Sequence, residues 1–157
     1  MKVEILSGLW LASEEEVNES KFIINKNITF IINCTTINID KYITIINEEH
    51  HKNIKYLNVP LNENAVDIKK NNIVLLDNMD DLTRMIQEQL NNNKNILIFC
   101  KTGITTSLSI IVCYIMRYGK VNIKFIETTL KSLYPTFNIS GNKYNYCIKQ
   151  YYIQLLQ

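Results

Sequence analysis

One stretch constrains this 157-residue chain more than any other: Asn95 to Gly119, NILIFCKTGITTSLSIIVCYIMRYG. Ile96 to Phe99 is a short apolar run, as a buried strand should be. Cys100 to Ser107, CKTGITTS, is rich in hydroxyls. Leu108, Ile111, Val112, Ile115 and Met116 then recur at helical spacing, and Gly119 is placed to cap the helix. A strand that passes into a helix through such a loop sets the thiol of Cys100 against the helix start. Backbone N–H groups there lack intrahelical partners and partial positive charge collects, which suits an anion and favours a thiolate.

The rest of the chain supplies strands and helices to surround that unit. Val3 to Leu11 reads as a first strand with a turn, and Ser13 followed by Glu14, Glu15 and Glu16 predicts a helix start. Ile28 to Cys34 is β-branched and apolar on both faces, which predicts a central strand. Asp40 to Lys52 fits either a short helix or a loop. Ile54 to Val59 alternates as a strand and stops at Pro60. Asn62 to Asn72 is polar and reads as a loop. Ile73 to Leu90 sets Leu75, Leu76, Met79, Leu82, Met85, Ile86 and Leu90 on one helical face. Ile123 to Leu133 is a further helix, Pro135 breaks the chain, and Lys143 to Leu156 is a closing helix rich in tyrosine. Tyr144, Tyr146, Tyr151 and Tyr152 of that helix face either the core or an interface. Alternating strands and helices predict an α/β fold with a central, mainly parallel sheet flanked by helices. With no repeat and no linker, residues 1–157 read as a single domain.

Composition excludes several classes. A net charge of +2 without a basic cluster argues against nucleic acid. No stretch has signal-peptide organisation or spanning length, so no membrane association is expected. Cys34, Cys100, Cys113 and Cys147 lack CxxC or framework spacing, which predicts reduced thiols and a cytoplasmic location. No GK[ST] loop exists, and the adjacent Glu48, Glu49, His50 and His51 diverge rather than converge on a metal. Neither cofactor nor metal is called for.

The loop CKTGITTS resembles the signature loop of the cysteine-dependent protein phosphatases, written HCxxGxxRS in the dual-specificity branch. Cys100, Gly103 and Ser107 match it, whereas Phe99 stands for its His and Thr106 for its Arg. ILSGLWLAS is similar to that family's opening strand and turn, with Trp10 and Ala12 departing from the usual Gly-Leu-Tyr-Leu-Gly. ITFIINCT resembles the second strand, IKYLNVPLNENAVDI the strand leading to the general-acid loop, and SLSIIVCYIMRYG the helix behind the signature loop. LYPTFNIS is similar to a later segment in which Tyr134 replaces an Arg. These pieces keep the family's order and spacing over nearly the whole chain. They imply a dual-specificity protein tyrosine phosphatase-like fold.

What the resemblance implies about chemistry is divided. Cys100 takes the nucleophile position, and the N–H groups of Lys101, Thr102, Gly103, Ile104, Thr105 and Thr106 take that of the phosphate cradle. Ser107 matches the hydroxyl that stabilises the departing thiolate. The general acid lies three residues after the strand-ending Pro, which gives Glu63, with Asp67 as the alternative. Thr106, however, has no planar cationic fork to grip two phosphoryl oxygens. By analogy with other arginines in phosphoryl transfer, that loss costs about 10³ to 10⁵ in rate. Phe99 cannot donate the hydrogen bond of the family's His. Arg84 and Arg117 are the only arginines, and both read as helix positions. The leading expectation is therefore a pseudophosphatase that binds a phosphorylated protein or another protein partner. The alternatives are a low-activity dual-specificity phosphatase working through a phosphocysteine, and a structural homodimeric module with an empty pocket. Cys34, at the end of a strand expected beside that of Cys100, also makes a reversible disulfide between the two conceivable.

Overall fold

The computed structural model describes residues 2–62, 68–102 and 104–157. The chain opens with a hairpin: β1 (Val3–Leu6) runs antiparallel to β2 (Leu9–Ser13). Gly8 turns it with φ +86°, and a Cβ there would lie 3.0 Å from Leu90 Cδ2 and 3.2 Å from the Lys94 carbonyl oxygen. Conformation and space both call for glycine.

Ser13 does not start a helix. Its Oγ accepts the Glu16 N–H at 3.3 Å while Glu16 Oε1 accepts the Ser13 N–H at 3.0 Å, a reciprocal capping box. The box precedes only a 3-10 turn, Glu16–Asn18, and α1 (Ser20–Asn25) follows it. Ser13 itself pairs in register with Cys100, so the sheet claims its backbone first.

Onward run β3 (Ile28–Asn33), α2 (Asp40–His50), β4 (Lys55–Asn58), α3 (Ile68–Asn91), β5 (Asn95–Cys100), α4 (Thr105–Gly119), α5 (Ile123–Leu133) and α6 (Asn145–Leu156). The ambiguous Asp40 to Lys52 stretch is thus a helix; it buries Ile43 and Ile46. The sheet order is β1-β2-β5-β3-β4, parallel except for the first pair. This is the α/β architecture with a mainly parallel sheet that the sequence predicts.

Successive β-strand residues point to opposite faces, which divides the core in two. Leu9, Leu11, Ile32, Ile96 and Ile98 pack with Leu75, Met79, Leu82 and Ile86 of α3 and with α4. Ala12, Ile31, Leu97 and Phe99 pack on the other face against Phe22, Ile23, Ile43 and Ile46. Helix α4 is buried without interruption from Thr106 to Tyr114, so it is a core helix rather than a surface one. It ends on Lys120, whose φ of 53° supplies the left-handed cap; Gly119 is the last helical residue, not the cap.

Helix α3 starts earlier than hydrophobic periodicity predicts. Asn72, only 2% exposed, donates through Nδ2 to the Lys143 carbonyl at 2.8 Å and accepts the Cys147 N–H at 3.0 Å. Its inward-facing position is polar, which is why periodicity misses that turn. Tyr144 and Tyr151 of the closing segment are core residues at 0% and 1% exposure, while Tyr146 and Tyr152 face outward. Among the described residues, no helix is long and apolar enough to cross a membrane.

Candidate active site

β5 lies between β2 and β3, paired through Ser13↔Cys100 on one side and Asn33↔Phe99 on the other. The end of the strand is therefore held from both sides, and Cys100 is fully buried there. Ser107, in the first turn of α4, donates its hydroxyl to Cys100 Sγ at 3.3 Å. The thiol and the hydroxyl that the resemblance pairs do meet in space.

Between them the loop is exposed at Lys101, Thr102 and Ile104. Thr102 Oγ1 accepts the N–H groups of both Ile104 and Thr105 at 3.3 Å, and lies 3.4 Å from Thr105 Oγ1. Two N–H groups expected in an anion cradle are thus held by the loop's own hydroxyl, in a turn just before the helix. Nothing in the residue pattern singled out Thr102 for this; a threonine two or three residues before a helix was the available signal. Ser109 Oγ donates to the Thr105 carbonyl at 2.8 Å and lies 3.4 Å from Asn142 Oδ1. Asn142 Oδ1 also accepts the Tyr144 N–H at 2.8 Å, which ties the start of α4 to the start of α6.

Phe99 and Thr106, the two departures, are both fully buried. Phe99 belongs to the core of α1 and α2, on the face opposite Cys100. Neither guanidinium serves the loop. Arg84 bonds Asp81 at 2.9 Å and lies 3.7 Å from Glu88. Arg117 donates to the Asp80 carbonyl at 2.9 Å and Thr83 Oγ1 at 3.0 Å, and it stacks 5.0 Å from the Tyr118 ring centre. At 1.5 Å per residue, Arg117 sits about 16 Å along α4 from Thr106.

Tyr134, in the position of a family Arg, is buried, and that burial, with the Glu16 carboxylate second, pushes its hydroxyl pKa up. Lys101 and Glu14 line a small polar cavity with Thr35 and Asn62. A larger cavity, about 470 Å³, opens on the other side of the loop between Ile104, Thr105, Asn138 and Lys143. The expected acids Glu63 and Asp67, and Gly103 of the loop, lie outside the described residues. Among those described, no group of three His, Cys, Asp or Glu side chains is placed to hold a metal.

A thiol at the end of a central parallel strand, a hydroxyl on its sulfur and a helix start beyond it are the arrangement that the resemblance implies. Residues 9–151 match the model of the dual specificity phosphatase catalytic domain. The chain belongs to the dual specificity phosphatase family. Within this family's solved structures, the fold is similar to human DUSP28, with a TM-score of 0.72 at 14% identity over 99% of this chain and 95% of that one. It is similar also to the human tyrosine phosphatase-like serine/threonine/tyrosine-interacting protein, with a TM-score of 0.72 at 17% identity over 99% and 98% of the two chains. A leucine rich repeat and phosphatase domain containing protein from Entamoeba histolytica gives 0.71 at 17% identity over 99% and 92%. At these identities the likeness is one of fold. Among curated proteins, none matches this sequence.

Proposed function

We propose that this dual specificity phosphatase-like chain is a pseudophosphatase, which acts by binding a phosphorylated protein rather than by turning it over. The observation that carries the reading is Thr106. It stands buried where the family has its phosphate-gripping Arg, while Arg84 and Arg117 are engaged elsewhere. A neutral hydroxyl opposes none of the charge that builds on a transferring phosphoryl group. The Thr102 hydroxyl on the N–H groups of Ile104 and Thr105 adds to this, because a phosphate must displace it to use them. One protein of similar fold bears a name that calls it phosphatase-like and interacting, which agrees with a binding role. A cytoplasmic setting fits four cysteines of which none is in a disulfide.

A second reading, a slow dual specificity phosphatase, is favoured by the Ser107 hydrogen bond to Cys100. Aryl-phosphate hydrolysis by wild type, Cys100→Ser and the pair Phe99→His with Thr106→Arg separates the two. We expect wild type to equal Cys100→Ser, with turnover appearing in the pair. Cys100-dependent wild-type turnover within tenfold of an active family member would overturn the binding role.

A further inference from the structure

Three lysines meet at the end of the sheet that the candidate active site does not use. Parallel strands set their starts at one end, so β3 begins there between β4 and β5, while Cys100 closes β5 at the other end. At about 3.3 Å per residue, the two ends of β5 lie about 17 Å apart. A cavity of about 300 Å³ opens among the starts, and Lys52, Lys55 and Lys94 line it. No Asp or Glu lines it. The lysines come from two separate parts of the chain, which is why no basic run in the sequence announces them.

These charges have no counter-charge of their own. Lys52 and Lys94 follow the ends of α2 and α3, where cations commonly serve the helix dipole. Carbonyls of those last turns already have donors: Asn47 accepts the Lys52 N–H at 3.1 Å, Gln89 the Lys94 N–H at 2.9 Å, and Glu88 the Asn92 side-chain amide at 2.8 Å. Lys55 instead opens β4. Among the described residues, no hydrogen bond, ion pair or ring contact engages the three ammonium groups. Glu88 lies 3.7 Å from Arg84, and Glu48 and Glu49 of α2 stand outside the cavity. The rest of the lining also offers donors. Gln89 Oε1 lies 3.3 Å from Thr29 Oγ1, which leaves the Gln89 amide nitrogen to donate. Buried Ile28 and Ile54 supply the apolar part.

We propose that this cavity binds a small soluble polyphosphate. Lysine is a compact point charge with three donors and no planar fork, so it suits separate oxygens rather than one bidentate group. Three such charges on different elements match a ligand that carries several anionic groups in a row. A single carboxylate compensates only one of them and leaves the others repelling. Bound there, the ligand ties the connection before β4 to the one before β5. Its affinity falls with salt, because the lysines are exposed. The site uses neither Cys100 nor the signature loop, so it stands or falls apart from the binding role proposed above.

The test uses the full chain at low ionic strength, with inorganic tripolyphosphate as the probe. In wild type, acylation of lysines by an amine-reactive ester, read by mass spectrometry, should slow several-fold at Lys52, Lys55 and Lys94 but not at Lys101. Calorimetry should show one site that prefers tripolyphosphate to inorganic phosphate, and Lys52→Gln with Lys94→Gln should weaken it roughly tenfold. Lys124→Gln with Lys149→Gln removes the same charge from exposed positions elsewhere and should leave the affinity nearly unchanged. An equal loss in that control would reduce the effect to diffuse attraction and overturn the site. Protection at Lys101 in place of the three would move the ligand to the signature loop and overturn it too. So would the absence of saturable binding, or capture by phosphoinositide vesicles without binding of tripolyphosphate. The wild-type protection pattern decides the matter even if a variant fails to fold.

Discussion

Thr102 Oγ1 accepts the backbone N–H of Thr105 at 3.3 Å, so the side chain of one loop residue holds the first N–H of the helix that begins at the other. Hydrogen bonds of this kind contribute about 0.5 to 1.5 kcal/mol. Thr102→Ala should lower stability in urea by about 1 kcal/mol. Added phosphate should then stabilise the variant more than wild type, because it finds two donors already vacated. Equal stabilisation of both proteins would show that phosphate does not use the N–H groups of Ile104 and Thr105.

Phe99 is fully buried among Phe22, Ile23 and Leu97. Phe99→His by itself removes apolar burial and leaves ring nitrogens short of partners, at a cost of about 2 to 4 kcal/mol. It should give no turnover. A thermal shift of a degree or less would mean that the imidazole finds a hydrogen-bond partner in this core.

Asn72 bridges α3 to the start of α6 through the Lys143 carbonyl and the Cys147 N–H. Asn72→Ala leaves both backbone groups without that partner, so about 2 to 3 kcal/mol should be lost. Hydrogen exchange would show the loss concentrated at Cys147 and its neighbours in α6. Uniform exchange across the chain would argue against a local bridge.

Tyr151 donates to Asp80 Oδ1 at 2.8 Å and lies 3.1 Å from Thr83 Oγ1. Burial first, and the Asp80 carboxylate after it, push its hydroxyl up to about 12 from 10.0. A raised folded value means that the unfolded chain ionises first as pH rises. The contribution is therefore complete below pH 10 and is lost between pH 10 and about 12. Tyr151→Phe should lose stability at neutral pH yet fall less steeply across that window. Parallel curves for the two proteins would assign the alkaline loss to other groups.

Strand positions and the site were legible for different reasons. Ile28 to Asn33 and Ile96 to Cys100 are apolar on both faces, and only a central parallel strand needs that. The meeting of Cys100 and Ser107 was legible only through the resemblance of CKTGITTS to the phosphatase signature loop. The start of α3 was not legible, because Asn72 faces inward as a polar bridge and breaks the hydrophobic period. Ser13 carried a true capping box, yet its pairing with Cys100 kept it extended, a tertiary effect no local pattern reports. The Thr102 hydrogen bonds were hidden for the opposite reason: a threonine in a hydroxyl-rich loop looks like any other.

The position of β5 has an evolutionary corollary. Its backbone is fastened to a neighbour on either side, and the helix behind it is packed nearly all round, so the scaffold does not depend on the reagents it displays. The loop can therefore carry an uncharged Thr106 and still keep the same cup. Chemistry in such a molecule is free to lapse long before its shape does.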